Sequence, residues 1–440
     1  MMLTKKKFNI FSIVLIGLST SSYATQSSVL LAPQSEQGGD ASPTLEVYYD
    51  VSSPLKIYHD ASGNIVKERV GKPSIIINHT NNDGVSHIYY NKFNVPEVGL
   101  KLHNKSQADL IINEVVSNEP SLLNGELFVV GKKTDIIIAN PNGISCYDCS
   151  FSGANNIKLI TGSSQEAFSK QFDLSNAGIN FSFEKNLKNI NEFTLLKRNF
   201  KDITSKSINI ISNKIDIKKG DFNAELIRFD IGLNKYKVGP GNNNYLKKNL
   251  KKDDYSRLSI HKGAGINSQF LLIKSAGGDV NNEGEINTRT LVSETDIFIN
   301  EGILDINHYS NIYEPRYNSK NLSFIKTNDY WGYENSELNI IDAGLYIDAN
   351  YSLYIDGNTD LVNSQLLMKS NEITMASLNL LDSLVRIKSD YISIAKGING
   401  TGQVILDGKV HFLDKGYFVL NDINYKAHIG EDVVYFDSDE

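Results

Sequence analysis

Cys146 and Cys149 are the only cysteines of the 440-residue chain, and a pair so closely spaced suits a small disulfide loop, a redox couple or half of a metal site. A redox couple wants a helix N-terminus to lower one thiol pKa, and zinc wants two further ligands nearby; the surrounding sequence offers neither. The eight histidines are scattered, with no His-x-x-x-His helix and no arguable Ser/His/Asp set. Asn358-Thr359-Asp360 and Arg386-Ile387-Lys388 have the look of a carbohydrate-cleaving site. Inverting hydrolysis, however, needs an acid and a base across the scissile bond, and one Asp cannot supply both. Lys247, Lys248, Lys251 and Lys252 could touch an anionic partner, or simply form a solvated loop. These residues define no catalytic, cofactor or metal site.

The elements that must carry such residues are strands. Hydrophobic residues at 40% and charged ones at 22% are ordinary for a folded chain and argue against wholesale disorder, collagen or a polytopic membrane protein. Lys+Arg 44 against Asp+Glu 51 gives a net charge of −7, which argues against a general nucleic-acid binder, since phosphate contacts need a basic face. Pro (9), Met (4) and Trp (1) are scarce, whereas about one residue in nine is Asn. Lys5, Lys6 and Lys7, the apolar run Phe8 to Leu18 and Ser22-Tyr23-Ala24 read as a secretory signal peptide over 1–24, cut after Ala24. The apolar run is too short for a membrane anchor. In an exported chain the two cysteines are expected to close a disulfide loop.

From about residue 70 onward, runs of four to six residues alternate Ile, Leu, Val or Phe with Asn, Ser, Lys or Asp, which is strand period rather than helix period. The C-terminal half repeats itself. Leu345-Tyr346-Ile347-Asp348, Leu366-Leu367-Met368-Lys369, Val385-Arg386-Ile387-Lys388 and Val404-Ile405-Leu406-Asp407 follow one another at 21, 19 and 19 residues. A second series, beginning at Leu353, Ile373, Ile392 and Val410, advances by 20, 19 and 18. Two registers advancing together describe a chain that completes a coil and returns above itself, a β-solenoid. About twenty coils at the inter-strand spacing of about 4.8 Å would give a rod of order 100 Å. Asn suits such a stack because it tolerates left-handed turns and its amides can ladder between coils. The lead-in should hold a cap, because the end of a parallel coil exposes unpaired backbone, and residues 239–257 read as a loop leaving the rod.

One stretch breaks the monotony: Ile112-Asn113-Glu114-Val115, Leu123-Asn124-Gly125-Glu126-Leu127, then Lys132 through Cys149. Ala139-Asn140-Pro141-Asn142-Gly143-Ile144 followed by Ser145-Cys146-Tyr147-Asp148-Cys149 matches, over eleven contiguous positions, the signature of the secretion domain of two-partner secretion exoproteins, the family of filamentous haemagglutinin and the Serratia/Proteus-type haemolysins. The resemblance extends back through Gly84-Val85-Ser86-His87 and Gly99-Leu100-Lys101-Leu102-His103-Asn104, and forward to Ile227 through Asn234. It implies an all-β fold, a right-handed parallel β-helix with an N-terminal cap and a few extra-helical insertions. It also implies a secretion domain over 25–237, after which the repeats read as a continuing shaft over 238–440. As partner it implies the periplasmic POTRA-type domains of a dedicated outer-membrane barrel in a Gram-negative host, with the product secreted or held at the cell surface, and the signal peptide adds the Sec translocon. Asn140, Pro141, Asn142, Gly143 and Ile144 are the candidate transporter-recognition motif. The same residues read equally as a tight corner, since Pro fixes one φ and Asn-Gly supplies a left-handed turn.

Right-handed β-helices also carry polygalacturonases, whose motifs the tripeptides at 358–360 and 386–388 resemble in part, but the remaining two motifs of that family are missing. The expected end use is non-enzymatic surface attachment, as a filamentous-haemagglutinin-like adhesin meeting host-cell glycans or receptors. A haemolysin-like or contact-dependent toxin, short or truncated, is the alternative reading. A polysaccharide-cleaving enzyme ranks below both.

Overall fold

Alternation along each strand decides the architecture. In Glu285–Glu294 the residues Ile286, Thr288, Leu291 and Ser293 are buried while their neighbours face outward, so one face of every strand lines an interior. The chain, as a computed structural model, is described over residues 73–184, 207–238, 256–307 and 322–412. Seven further strands are placed at Leu30–Leu31, Val47–Tyr49, Leu55–His59, Ile65–Arg69, Tyr417–Leu420, Ile423–Ile429 and Val434–Ser438. The described residues hold strands and no helix. The signal segment ending at Ala24 and most of the loop expected at 239–257 lie outside the described residues.

The strands stack in parallel. One column of register partners climbs from His87 through Ile112, Ile137, Lys158, Asn209 and Arg228. It continues through Leu272, Val292, Phe324, Tyr346 and Leu367 to Arg386. The echoes read from the sequence are true neighbours: Leu345 lies beside Leu366, Leu366 beside Val385, and Leu353 beside Ile373. The architecture is therefore a parallel β-helix. Its lower coils carry three strands each; Leu100–Asn104, Leu110–Val115 and Ser121–Leu123 are followed one coil on by Glu126–Gly131, Asp135–Ala139 and Ile144–Tyr147.

From His87 to Arg386 the column climbs twelve rungs, about 50 Å at about 4.8 Å per rung, fewer than a uniform nineteen-residue coil would give over that length of chain. Two features account for this. Lower coils are longer than nineteen residues, as in Ile111↔Ile136, and the register partners Ile157↔Ile208, Ile227↔Leu271 and Val292↔Phe324 are farther apart still along the chain. The shaft expected through residue 440 also changes character after Phe412. Tyr417–Leu420 still pairs in parallel with the coil below, but it then pairs antiparallel with Ile423–Ile429, which in turn pairs antiparallel with Val434–Ser438. Only two residues separate Leu420 from Ile423, enough for a hairpin and too few for a coil.

At the N-terminal end antiparallel strands cover the first coils. Leu30–Leu31 lies against Val85–Lys92, and Val47–Tyr49 against Pro73–Ile77. The end of the stack thus has hydrogen-bonding partners instead of an open edge.

Inside, stacked Ile, Leu and Phe side chains form one continuous core from Ile75 to Ile398, each fully buried large residue stabilising the fold by roughly 1.5–3 kcal/mol. Aromatic rings pack rung on rung, as in Phe181 over Phe222 with centroids 4.8 Å apart and Phe298 over Tyr330 at 5.6 Å. Corners stack too. Asp342, Asn363 and Asp382 all adopt positive φ at successive levels (49°, 47°, 50°), a conformation that Asn and Asp tolerate better than other side chains.

Candidate recognition site

The conspicuous motif begins where a strand buried on both sides ends. Ile136 and Ile138 point into the rod, while Ile137 and Ala139 point out. The outward pair is nevertheless buried, because an antiparallel sheet made of Gly162–Ser164, Gln171–Leu174 and Lys235–Lys237 lies across that face. Phe172, Leu233 and Tyr236 complete a second apolar cluster with Val85, Ile112 and Ile137. Both faces of the strand are thus apolar, and Ile136-Ile137-Ile138 follows without alternation.

Asn140 ends the strand and is 0% exposed. Its Nδ2 donates to the Glu119 carbonyl and to Ser121 Oγ, both at 2.9 Å. Its Oδ1 accepts from the backbone N–H of Asn142 at 2.9 Å and from Asn142 Nδ2 at 3.2 Å. The Gly143 N–H closes the turn on the Asn140 carbonyl at 3.2 Å, and Asn142 Nδ2 donates to the Ser117 carbonyl at 2.6 Å. Gly143 has φ +105°, and a Cβ there would stand 3.0 Å from the Gly178 carbonyl oxygen, so the turn and the coil stacked on it both require glycine. Ile144 then enters the core between Ser121 and Ile179. Pro141 and Asn142 stay partly exposed at the corner.

Cys146 and Cys149 are buried and joined by a disulfide, with Cα atoms 5.2 Å apart. The bridge folds Tyr147 and Asp148 into a small loop. Asp148 takes φ 50° and docks on the next coil, its N–H donating to the Ser182 carbonyl at 3.0 Å and its Oδ1 accepting from the Glu184 N–H at 2.9 Å. The hydrogen bond with Glu184 pushes the Tyr147 phenol up to about 12.

A buried polar network beneath the covering sheet escaped the sequence reading. His87 Nε2 lies 2.8 Å from Glu114 Oε2, and the Phe168 N–H donates to His87 Nδ1 at 2.8 Å, which fixes the neutral tautomer with the proton on Nε2. Glu114 also accepts from the Ser164 N–H at 2.9 Å and from its hydroxyl at 2.5 Å. Serine here meets the carboxylate and not the imidazole, so the trio does not have the serine–imidazole–carboxylate order of a nucleophilic triad. It pins the covering segment to the rod. Higher up the same two columns, Arg228, in the column of His87, binds Asp230, in the column of Glu114, through two bonds of 2.8 and 2.9 Å. Burial pulls the nearby Lys158 ammonium pKa down, against the opposing effect of Asp135. The signal for this layer was the coil length: Tyr89 and Glu114 are register partners, so His87 and Glu114 meet diagonally once the coil is known.

The hydrolase-like tripeptides do not come together as a site. Thr359 is buried, Asp360 accepts from Asn379 Nδ2 at 2.6 Å, and Arg386 stands beside Leu367 in another column. Among the described residues no group of three His, Cys, Asp or Glu could hold a metal ion.

Comparison with known proteins adds the remaining findings. A family model described as the TPS secretion domain matches residues 58–312. Toxin CdiA of Yersinia pestis is 35% identical over 121 residues, covering 23% of this chain and 4% of that protein. A hemolysin of Serratia marcescens is 35% identical over 102 residues, covering 19% of this chain and 6% of that protein. The alignments thus span a small fraction of these relatives. Among solved structures, a filamentous hemagglutinin secretion domain aligns with 85% of this chain and 99% of its own, at 15% identity and a TM-score of 0.30.

Proposed function

The chain belongs to the TPS secretion domain family, and on that premise we propose that it is an exoprotein of a two-partner secretion pair. It passes the inner membrane through the Sec translocon on the signal at residues 1–24, cleaved after Ala24. It is then recognised in the periplasm by POTRA-type domains of an outer-membrane barrel, and the product is secreted or displayed at the cell surface. The match over residues 58–312 is the observation that carries this reading.

The fold makes such an export intelligible. A strand-rich, unfolded chain can lend an extended segment to a receptor sheet, and each coil that then closes outside buries another layer of Ile and Leu, which opposes return. Within this reading the corner at Asn140–Gly143 serves twice. Asn140 and Gly143 shape it, and Pro141 and Asn142 present it to the transporter. Deleting Asn140 to Gly143 should abolish appearance in the medium while leaving synthesis intact. Pro141→Lys separates the two roles: it alters the exposed corner, leaves every side-chain hydrogen bond of Asn140 in place, and should reduce export while strand content measured by circular dichroism stays unchanged. Normal export of both variants would sink the recognition role.

For the end use we propose attachment. A shaft of repeating polar columns over an apolar core suits surface contact. The names of the relatives, a hemolysin and a CdiA toxin, favour a membrane-damaging or contact-dependent toxin as the second reading. Assaying purified protein for red-cell clumping against red-cell lysis separates the two.

A further inference from the structure

The sole tryptophan of the chain, Trp331, stands on the outside of the rod, on the face that begins lower down with Leu122 and Ser145. Above it in register lies Tyr354, and above that Thr374. The adjacent outward column reads Asp329, Ser352, Glu372 at the same three levels. With Tyr333 at the side, Trp331, Tyr354, Thr374, Ser352 and Glu372 line a groove of about 370 Å³, within the range of small-ligand sites.

The platform is held in place from behind. Ser352 Oγ donates to Asp329 Oδ1 at 2.6 Å, and the Ser352 N–H donates to the same oxygen at 3.2 Å. The Trp331 indole N–H reaches Ser352 Oγ at 3.4 Å. The indole orientation is therefore set by a serine that is itself fixed by a carboxylate. Tyr354 and Tyr333 remain 37% and 44% exposed, although three large aromatic side chains together would ordinarily be buried in a core or covered by a partner.

We infer that this groove binds a neutral or N-acetylated oligosaccharide laid along the rod axis, one pyranose ring per rung. Three features select that ligand. The rungs repeat at about 4.8 Å, comparable with the length of one pyranose unit. Indole and phenol faces suit the apolar C–H face of a sugar, while the carboxylate of Glu372 and the hydroxyls of Tyr354 and Thr374 suit its hydroxyl edge. Glu334, Asp356 and Glu372 make the rim acidic: the first two raise the Tyr354 phenol pKa, after burial as the main cause, and the same field repels sulfated or sialylated chains. An extended peptide finds no open sheet edge here, because the backbone groups of Trp331 and Tyr354 face register partners on the neighbouring coils.

The site deepens the attachment reading and rests on it for its setting, but it can be tested alone. Trp331 supplies its own probe. Titrating the purified full chain with the trimer of N-acetylglucosamine should change tryptophan emission saturably. Tyr354→Ala, which keeps the fluorophore, should weaken binding at least about tenfold. By calorimetry Trp331→Phe should retain binding and Trp331→Ala should lose it, with far-UV circular dichroism unchanged in all three variants. The inference falls if the trimer and lactose both leave emission unchanged, or if Tyr354→Ala binds as the parent does. It falls equally if a heparin hexasaccharide or a lysine-rich peptide is bound in their place. Trimer binding without red-cell clumping would overturn attachment and leave the groove; clumping that survives Trp331→Ala would do the reverse.

Discussion

Asn140 has no exposed surface, yet it belongs to the motif on which the sequence comparison turns. Its side chain serves two acceptors on the coil below and two donors of its own turn. Asn140→Ala strands those groups in a buried corner and should cost about 2 kcal/mol, measured as a lower urea midpoint at unchanged slope. A second residue-scale test lies at the stacked positive-φ corners. Asn363→Gly should fall within about 0.5 kcal/mol of the parent, whereas Asn363→Val forces a β-branched residue to φ 47° and should cost about 1–3 kcal/mol. Equal stabilities for the two variants would show that the corner relaxes freely. The motif residues could be recognised in the sequence, but the burial of Asn140 could not, because it depends on Glu119 and Ser121 arriving from the preceding coil.

At the scale of elements, the outward columns carry their own energetics. Asn223, Asn267, Asn287, Asp305, Asn339, Asp360 and Asn379 are successive register partners. Asn267 donates to Asn223 at 2.8 Å, Asn287 to Asn267 at 3.0 Å, and Asn339 to Asp305 at 2.7 Å. The abundance of Asn foretold ladders between coils, and they are present. Beside this ladder runs an acidic neighbour, Glu285, whose carboxyl pKa is raised by burial, then by Asp221, Asp305 and Glu337. Burial, followed by Glu337, likewise raises Asp305, although Asn339 opposes the shift. With folded pKa values above the unfolded ones, the stabilisation from protonating these groups is fully present below about pH 4 and is lost as pH rises through the folded values. For these two groups taken alone, thermal unfolding should occur at a higher temperature near pH 4 than near pH 7. Asp305→Asn should flatten that dependence and add on the order of 0.5 kcal/mol at neutral pH. An unchanged pH profile in the variant would refute the assignment.

The whole molecule is a stack in which each rung touches chiefly the rungs above and below, so its stability is distributed along one axis. Amide hydrogen exchange should be slowest for the central coils around Ile227, Leu271 and Leu291, which have neighbours on both sides, and faster toward residues 400–412. Uniform protection along the rod would instead indicate one all-or-none unit. The same geometry sets the Asn140 corner at the border of the face that holds the Trp331 groove, because the strand Ile144–Tyr147 that follows the corner lies in the columns that later hold Trp331 and Tyr354. Handling by the transporter and contact with a ligand would then share one side of the rod at different heights.

The amino-acid sequence determined the coil. Strand alternation and the echoes at Leu345, Leu366 and Val385 survive translation into register because a parallel stack places residues one coil apart side by side, so spacing along the chain becomes distance in space. The family signature was likewise local, a run from Ala139 to Cys149. Other features depended on where excursions return. The sheet at 162–174 and 235–237 that buries Ile137 and His87, the pairing of Glu114 with Ser164, and the closing antiparallel strands join residues separated by irregular lengths of chain. No period encodes those meetings. Only the tertiary structure decided them, because burying the second apolar face of Ile136-Ile137-Ile138 required a partner that the coil itself could not supply.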